Sequence, residues 1–77
     1  MLPMCPEYHR LSDNVESILA KLAELTSTHL QMFRERDYSG AMRIDKELEH
    51  TIGEKERALS ALRQHLREHR CQRPYLL

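Results

Sequence analysis

Seventy-seven residues, with twelve basic and twelve acidic side chains and a formal charge of zero, allow one small domain. They exclude a global field that would gather nucleic acid or an anionic membrane. Two glycines, no tryptophan and 31% charged residues suit long helices rather than sheets, and the short apolar runs leave no transmembrane helix.

A chain of this size buries only about 60–65% of its unfolded surface, so it needs a staple or a partner for comfortable stability. Charge is unevenly spread. Residues 57–77 carry Arg57, Arg63, Arg67, Arg70 and Arg73 against Glu68 alone, a net of +4, which leaves −4 on the rest.

The first ten residues, MLPMCPEYHR, have neither the basic start nor the apolar run of a signal peptide. A cytoplasmic location is therefore expected, and there the two cysteines stay reduced. Residues 1–6 read as an extended lead-in. Pro6 suits the first turn of a helix, where its missing N–H is no loss. Asp13 and Glu16 would cap a later start, but the apolar spacing already holds before them.

The first predicted helix spans about 6–35. Tyr8, Leu11, Val15, Ile18, Leu22, Leu25, His29 and Met32 are separated by alternating gaps of three and four, a heptad seam sustained for more than three repeats. Leu19 and Phe33 broaden it. Met and Leu stripes of this kind are core rather than cofactor boxes.

The link ERDYSG predicts a turn over 36–39. Asp37 or Ser39 can accept from the free N–H groups of the next helix, while Ser39 and Gly40 disfavour continuation of the first. So short a connection sets the helices antiparallel.

The second predicted helix covers about 39–70. Ala41, Leu48, Ile52, Leu59, Leu62, Leu66 and His69 recur at helical spacing, with Ile44 and Ala58 widening the stripe to one side. At ~1.5 Å per residue this helix would run ~48 Å and must be covered along its length. Gly53 interrupts it at a cost of roughly 1 kcal/mol against alanine, either as tolerated drift or because another helix passes close. Pro74 leaves the tail, 71–77, extended.

A bend near Asp37 lays residue i beside roughly residue 74 − i, so the stripes meet. The expected fold is all-α: an antiparallel, coiled-coil-like two-helix hairpin that dimerises into a four-helix bundle.

The same pairing gathers Cys5, His9, His65, His69 and Cys71 at the open end. Two i, i+4 pairs on neighbouring helices can supply four tetrahedral donors, and zinc accepts Cys₂His₂ sets. Their spacing matches no zinc-finger pattern, and exposed histidines with incidental thiols are the plain alternative. A Cys5–Cys71 disulfide would close the same end and stabilise by ~4 kcal/mol on the chain-entropy model. Reducing conditions oppose it.

Glu47 and His50 have the Glu-x-x-His spacing of di-iron bundles, with Glu24 as a further carboxylate. Leu48 in the core would turn both to solvent. Arg63, Arg67 and Arg70 form a basic strip that could touch phosphates. Few contacts, no aromatic stacking and zero net charge make it a poor nucleic-acid binder.

Two helices enclose no cavity, so an enzyme would require an oligomer. The expected role is a small non-enzymatic interaction module. It binds itself or another helical protein through an apolar face that includes Leu19, Phe33, Ile44 and Ala58, since an uncovered face of this kind marks an interaction site. The alternative is a zinc-binding or redox-responsive hairpin clamped at its open end.

Overall fold

Pro6 opens the first helix in the computed structural model, which describes residues 5–69. Helix α1 is Pro6–Arg34 and α2 is Tyr38–His69. Cys5 occupies the position before α1 in an extended conformation, with no side-chain cap. The early start is favoured because proline sacrifices no helical hydrogen bond there. Glu7 in the first turn complements the helix dipole and pairs with Arg10 one turn on.

The turn is built from three residues. The N–H of Asp37 donates to the carbonyl of Met32 at 2.9 Å, and that of Arg36 to Phe33 at 3.1 Å. This nested pair of bonds satisfies carbonyls that the end of α1 would otherwise leave free. It requires the left-handed backbone at Arg36, whose φ is 62°. Asp37 then caps α2, so of the two candidate caps the aspartate is used.

The two helices pack antiparallel along their length. Lys21 Nζ lies 4.0 Å from Glu54 Oε1 midway along the hairpin, and Cys5 Sγ lies 3.3 Å from His65 Nε2 at its open end. The all-α hairpin is therefore present. On α1 every residue of the expected seam is withdrawn from solvent, with Leu11 and Val15 buried.

On α2 the seam differs from the expected stripe. The residues facing α1 are Ala41, Ile44, Leu48, Thr51, Lys55, Ala58, Leu62 and His65, again at gaps of three and four. Ala41, Thr51, Ala58 and His65 are buried, whereas Ile52 is 42% exposed and Leu59 and Leu66 are only half-buried.

The correction has a steric reason. Small side chains at Ala41, Thr51 and Ala58 let α2 approach the leucines, isoleucine and valine of α1 closely, and a row of Ile52, Leu59 and Leu66 would overfill that space. Lys55 lies half-buried in the seam with a long aliphatic stem to cover it.

Gly53 does not mark a helix crossing among the described residues. A Cβ placed there would meet only the Arg57 guanidinium, at 3.4 and 4.0 Å. No helix among the described residues is long and apolar enough to cross a membrane. The expected tail over 71–77 lies outside the described residues.

Candidate functional site

The seam leaves a flank on each side, and the two flanks differ in chemistry. One consists of residues immediately following seam positions: Leu19, Thr26 and Phe33 on α1, then Asp45, Ile52, Leu59 and Leu66 on α2. In an antiparallel pair these rows lie on the same side of the hairpin. The opposite flank, formed by residues preceding seam positions, holds Glu7, Asn14, Lys21 and Thr28 with Glu47 and Glu54. It carries the Lys21–Glu54 pair.

The first flank is apolar and grooved. A depression of about 680 Å³ runs between Leu19 and Leu22 on α1 and Leu48 and Ile52 on α2, edged by Asp45 and Lys55. A second, of about 390 Å³, continues from Asp45 to the turn, where His29, Phe33, Tyr38, Ala41 and Met42 line it. Phe33 meets His29 edge to face at 5.1 Å and Tyr38 at 5.9 Å. Leu30, one helical turn from Phe33, extends the cluster outward.

Exposure within this flank is concentrated. Phe33 and Leu30 are each 49% exposed, Tyr38 50% and Met42 68%. Leu19 and Ile52 add a second exposed pair at mid-hairpin.

Of the expected interaction face, Leu19 and Phe33 therefore stand on the exposed flank. Ile44 is half-buried in the seam, and Ala58 is buried there against α1. Ile52, Tyr38, Met42 and Leu30 stand exposed on the same flank. The spacing carries a signal for Ile52: extending the three-four rhythm from Ala41 and Ile44 runs through Thr51 and Ala58, which places Ile52 and Leu59 outside.

At the open end the structure brings together Cys5 and His65, in hydrogen-bonding contact at 3.3 Å, with His65 buried. His9 is exposed, its ring 6.0 Å from that of Tyr8. The side chain of His69, and Cys71 with its possible disulfide, lie outside the described residues. No cluster of three or more metal-donor side chains occurs among the described residues. Cys5 and His65 thus supply a pair of donors, one soft and one borderline, of the kinds zinc takes.

Arg63 and Arg67 are exposed, and Arg70 lies outside the described residues. Glu24, Glu47 and His50 are also exposed rather than turned into the seam, and His50 approaches Glu54 at 3.7 Å. No protein-family model, curated protein or solved structure matches the chain.

Proposed function

We propose that the hairpin is a non-enzymatic protein-interaction module that buries its Leu19–Ile52–Phe33 flank against helices. The single observation that carries this reading is the gathering of exposed apolar side chains: Leu19, Leu30, Phe33, Tyr38, Met42 and Ile52 all stand outside the seam on one flank. Exposed apolar side chains gathered on one flank are a feature of binding faces, and a polar opposite flank gives the module a solvent side.

Energetics support the same reading. The buried apolar side chains among the described residues are Leu11, Val15, Ala41 and Ala58, a thin core for a helix pair of this length. Covering a leucine or phenylalanine contributes about 1.5–3 kcal/mol, so docking on the flank would add substantially to that core.

Sedimentation of the chain alone, and with an excess of a designed amphipathic peptide bearing a leucine face, tests the proposal. A species heavier than the monomer in either sample is expected. Monomer in both overturns the reading.

A second reading rests on the Cys5–His65 contact. With His69 and Cys71 close by in sequence, the open end could hold a divalent metal that clamps the two helix ends. Melting with zinc and with chelator checks it: a metal that binds the folded state raises the melting temperature. An unchanged temperature removes this reading.

A further inference from the structure

We infer that the occupant of the apolar flank is a second copy of the chain, docked face to face with both turns at the same end. The inference rests on the interaction reading above and names its partner and orientation.

The exposed residues are paired within one hairpin. Leu19 of α1 stands level with Ile52 of α2, where both line one groove. Phe33 stands beside Tyr38, in ring contact at 5.9 Å. The antiparallel register sets Leu30 near the level of Met42 in the same way. Each exposed apolar residue on one helix thus has an apolar counterpart at its own height on the other.

A surface with that internal match is complementary to itself. Rotation by half a turn about an axis parallel to the helices lays α1 on α2 of the second copy without changing height. Leu19 then meets Ile52, Leu30 meets Met42, and Phe33 meets Tyr38 of the other copy, and each contact occurs twice. Self-complementarity of this kind defines an isologous interface, and all neighbouring helices in the resulting bundle are antiparallel.

The alternative two-fold, with turns at opposite ends, makes poorer contacts. It sets Phe33, Tyr38 and Met42 over the open half of the second copy, where exposed His9, Glu16 and Arg63 occupy the flank's edge. The exposed rings would then meet charge mixed with half-buried Leu59 and Leu66, and Leu30 and Met42 would lose their apolar counterparts.

Area is sufficient. The hairpin is 53 Å long and 20 Å wide, so one flank is roughly 1,000 Å² in outline, against about 800 Å² contributed by each partner to a standard interface. The same-end alignment sets Asp45 on the docked flank level with Thr26 of the second copy, whose hydroxyl can donate to it, and at the rim of the open half it brings Glu16 level with Glu56. Both are exposed, and water and salt weaken such a repulsion.

A pulsed electron-spin distance measurement tests the orientation, with a nitroxide carried by an unnatural residue at exposed position 35 so that Cys5 and Cys71 remain. Sedimentation is run on the same sample. A dimer with labels about 30 Å apart or less, the width of a four-helix bundle, is the expected result. A dimer with labels near the 53 Å hairpin length overturns the orientation and leaves the interaction module standing. A monomer that still binds the leucine-faced peptide overturns the second copy alone, and a monomer that binds nothing removes both.

Discussion

Asp37 Oδ1 accepts a hydrogen bond from the backbone N–H of Gly40 at 2.9 Å, and the absence of a side chain at Gly40 is what lets the carboxylate sit there. A Cβ at position 40 would stand 2.5 Å from Asp37 Oδ2 and 3.0 Å from Met32 Sδ. Asp37→Ala is expected to cost about 1 kcal/mol through the lost cap. Gly40→Ala should cost at least as much, because it displaces the cap and pushes on α1. Thermal melts read both, with about 4–8 °C expected per kcal/mol in a domain of this size. An unchanged melt for Asp37→Ala would show that the cap does not hold the turn.

Arg36 carries the opposite opportunity. Its φ of 62° costs an L-residue roughly 1–2 kcal/mol, and glycine avoids that steric term while losing more chain entropy on folding. Arg36→Gly should therefore raise stability by about 1 kcal/mol, as glycine does at the equivalent position of many helix ends. The gain belongs in chemical denaturation as a shifted midpoint with an unchanged slope.

Gly53 is a plain propensity defect in the described hairpin. An added methyl group would meet only the flexible head of Arg57, so Gly53→Ala should stabilise α2 by roughly 0.5–1 kcal/mol. Helicity by circular dichroism and the melting temperature should both rise. Loss of stability would mean that another body packs on that outer face.

Thr51 is 1% exposed and its Oγ1 has no hydrogen-bond partner among the described residues. Burying a hydroxyl without a partner costs about 1–3 kcal/mol. Valine has nearly the same shape and no such cost, so Thr51→Val should raise the unfolding free energy by about 1 kcal/mol. Thr51→Leu should not, because the added bulk enters the space that lets the helices approach. A destabilised valine variant would show that the hydroxyl is satisfied in solution.

These side chains also show how far the sequence could be read. The seam of α1 was legible because most of its large apolar residues keep one unbroken three-four spacing, which Leu19, Leu30 and Phe33 fall outside. The turn was legible because Asp37, Ser39 and Gly40 have few conformational uses besides capping and breaking a helix. On α2 the criteria separate: Thr51, Ala58 and His65 keep the three-four spacing, while Ile52, Leu59 and Leu66 are greasier and lie one residue on. Hydropathy selects the second row, and packing, which rewards small residues at a close helix contact, selects the first. At the open end the register of residue i beside roughly 74 − i sets Cys5 level with His69 and His9 with His65, whereas the structure brings Cys5 to His65. The same periodicity puts Tyr8 in the seam and so turns His9 away from it, and His9 is exposed.

Leu19 and Ile52 together yield the most direct functional prediction. Leu19 and Ile52 are 46% and 42% exposed, so Leu19→Glu with Ile52→Glu should leave the hairpin itself folded. In a closed bundle the same two carboxylates would be buried against apolar surface in each copy, and burying charge without a partner is strongly unfavourable. Loss of about 2–4 kcal/mol of association free energy corresponds to a roughly 30- to 1,000-fold weaker dimer. Sedimentation equilibrium measures that change, and circular dichroism confirms retained helix. Lys21→Gln on the polar flank serves as the control and should leave association nearly unchanged, because it removes only an exposed ion pair worth about 0–1 kcal/mol. Equal weakening by both variants would place the interface elsewhere on the hairpin.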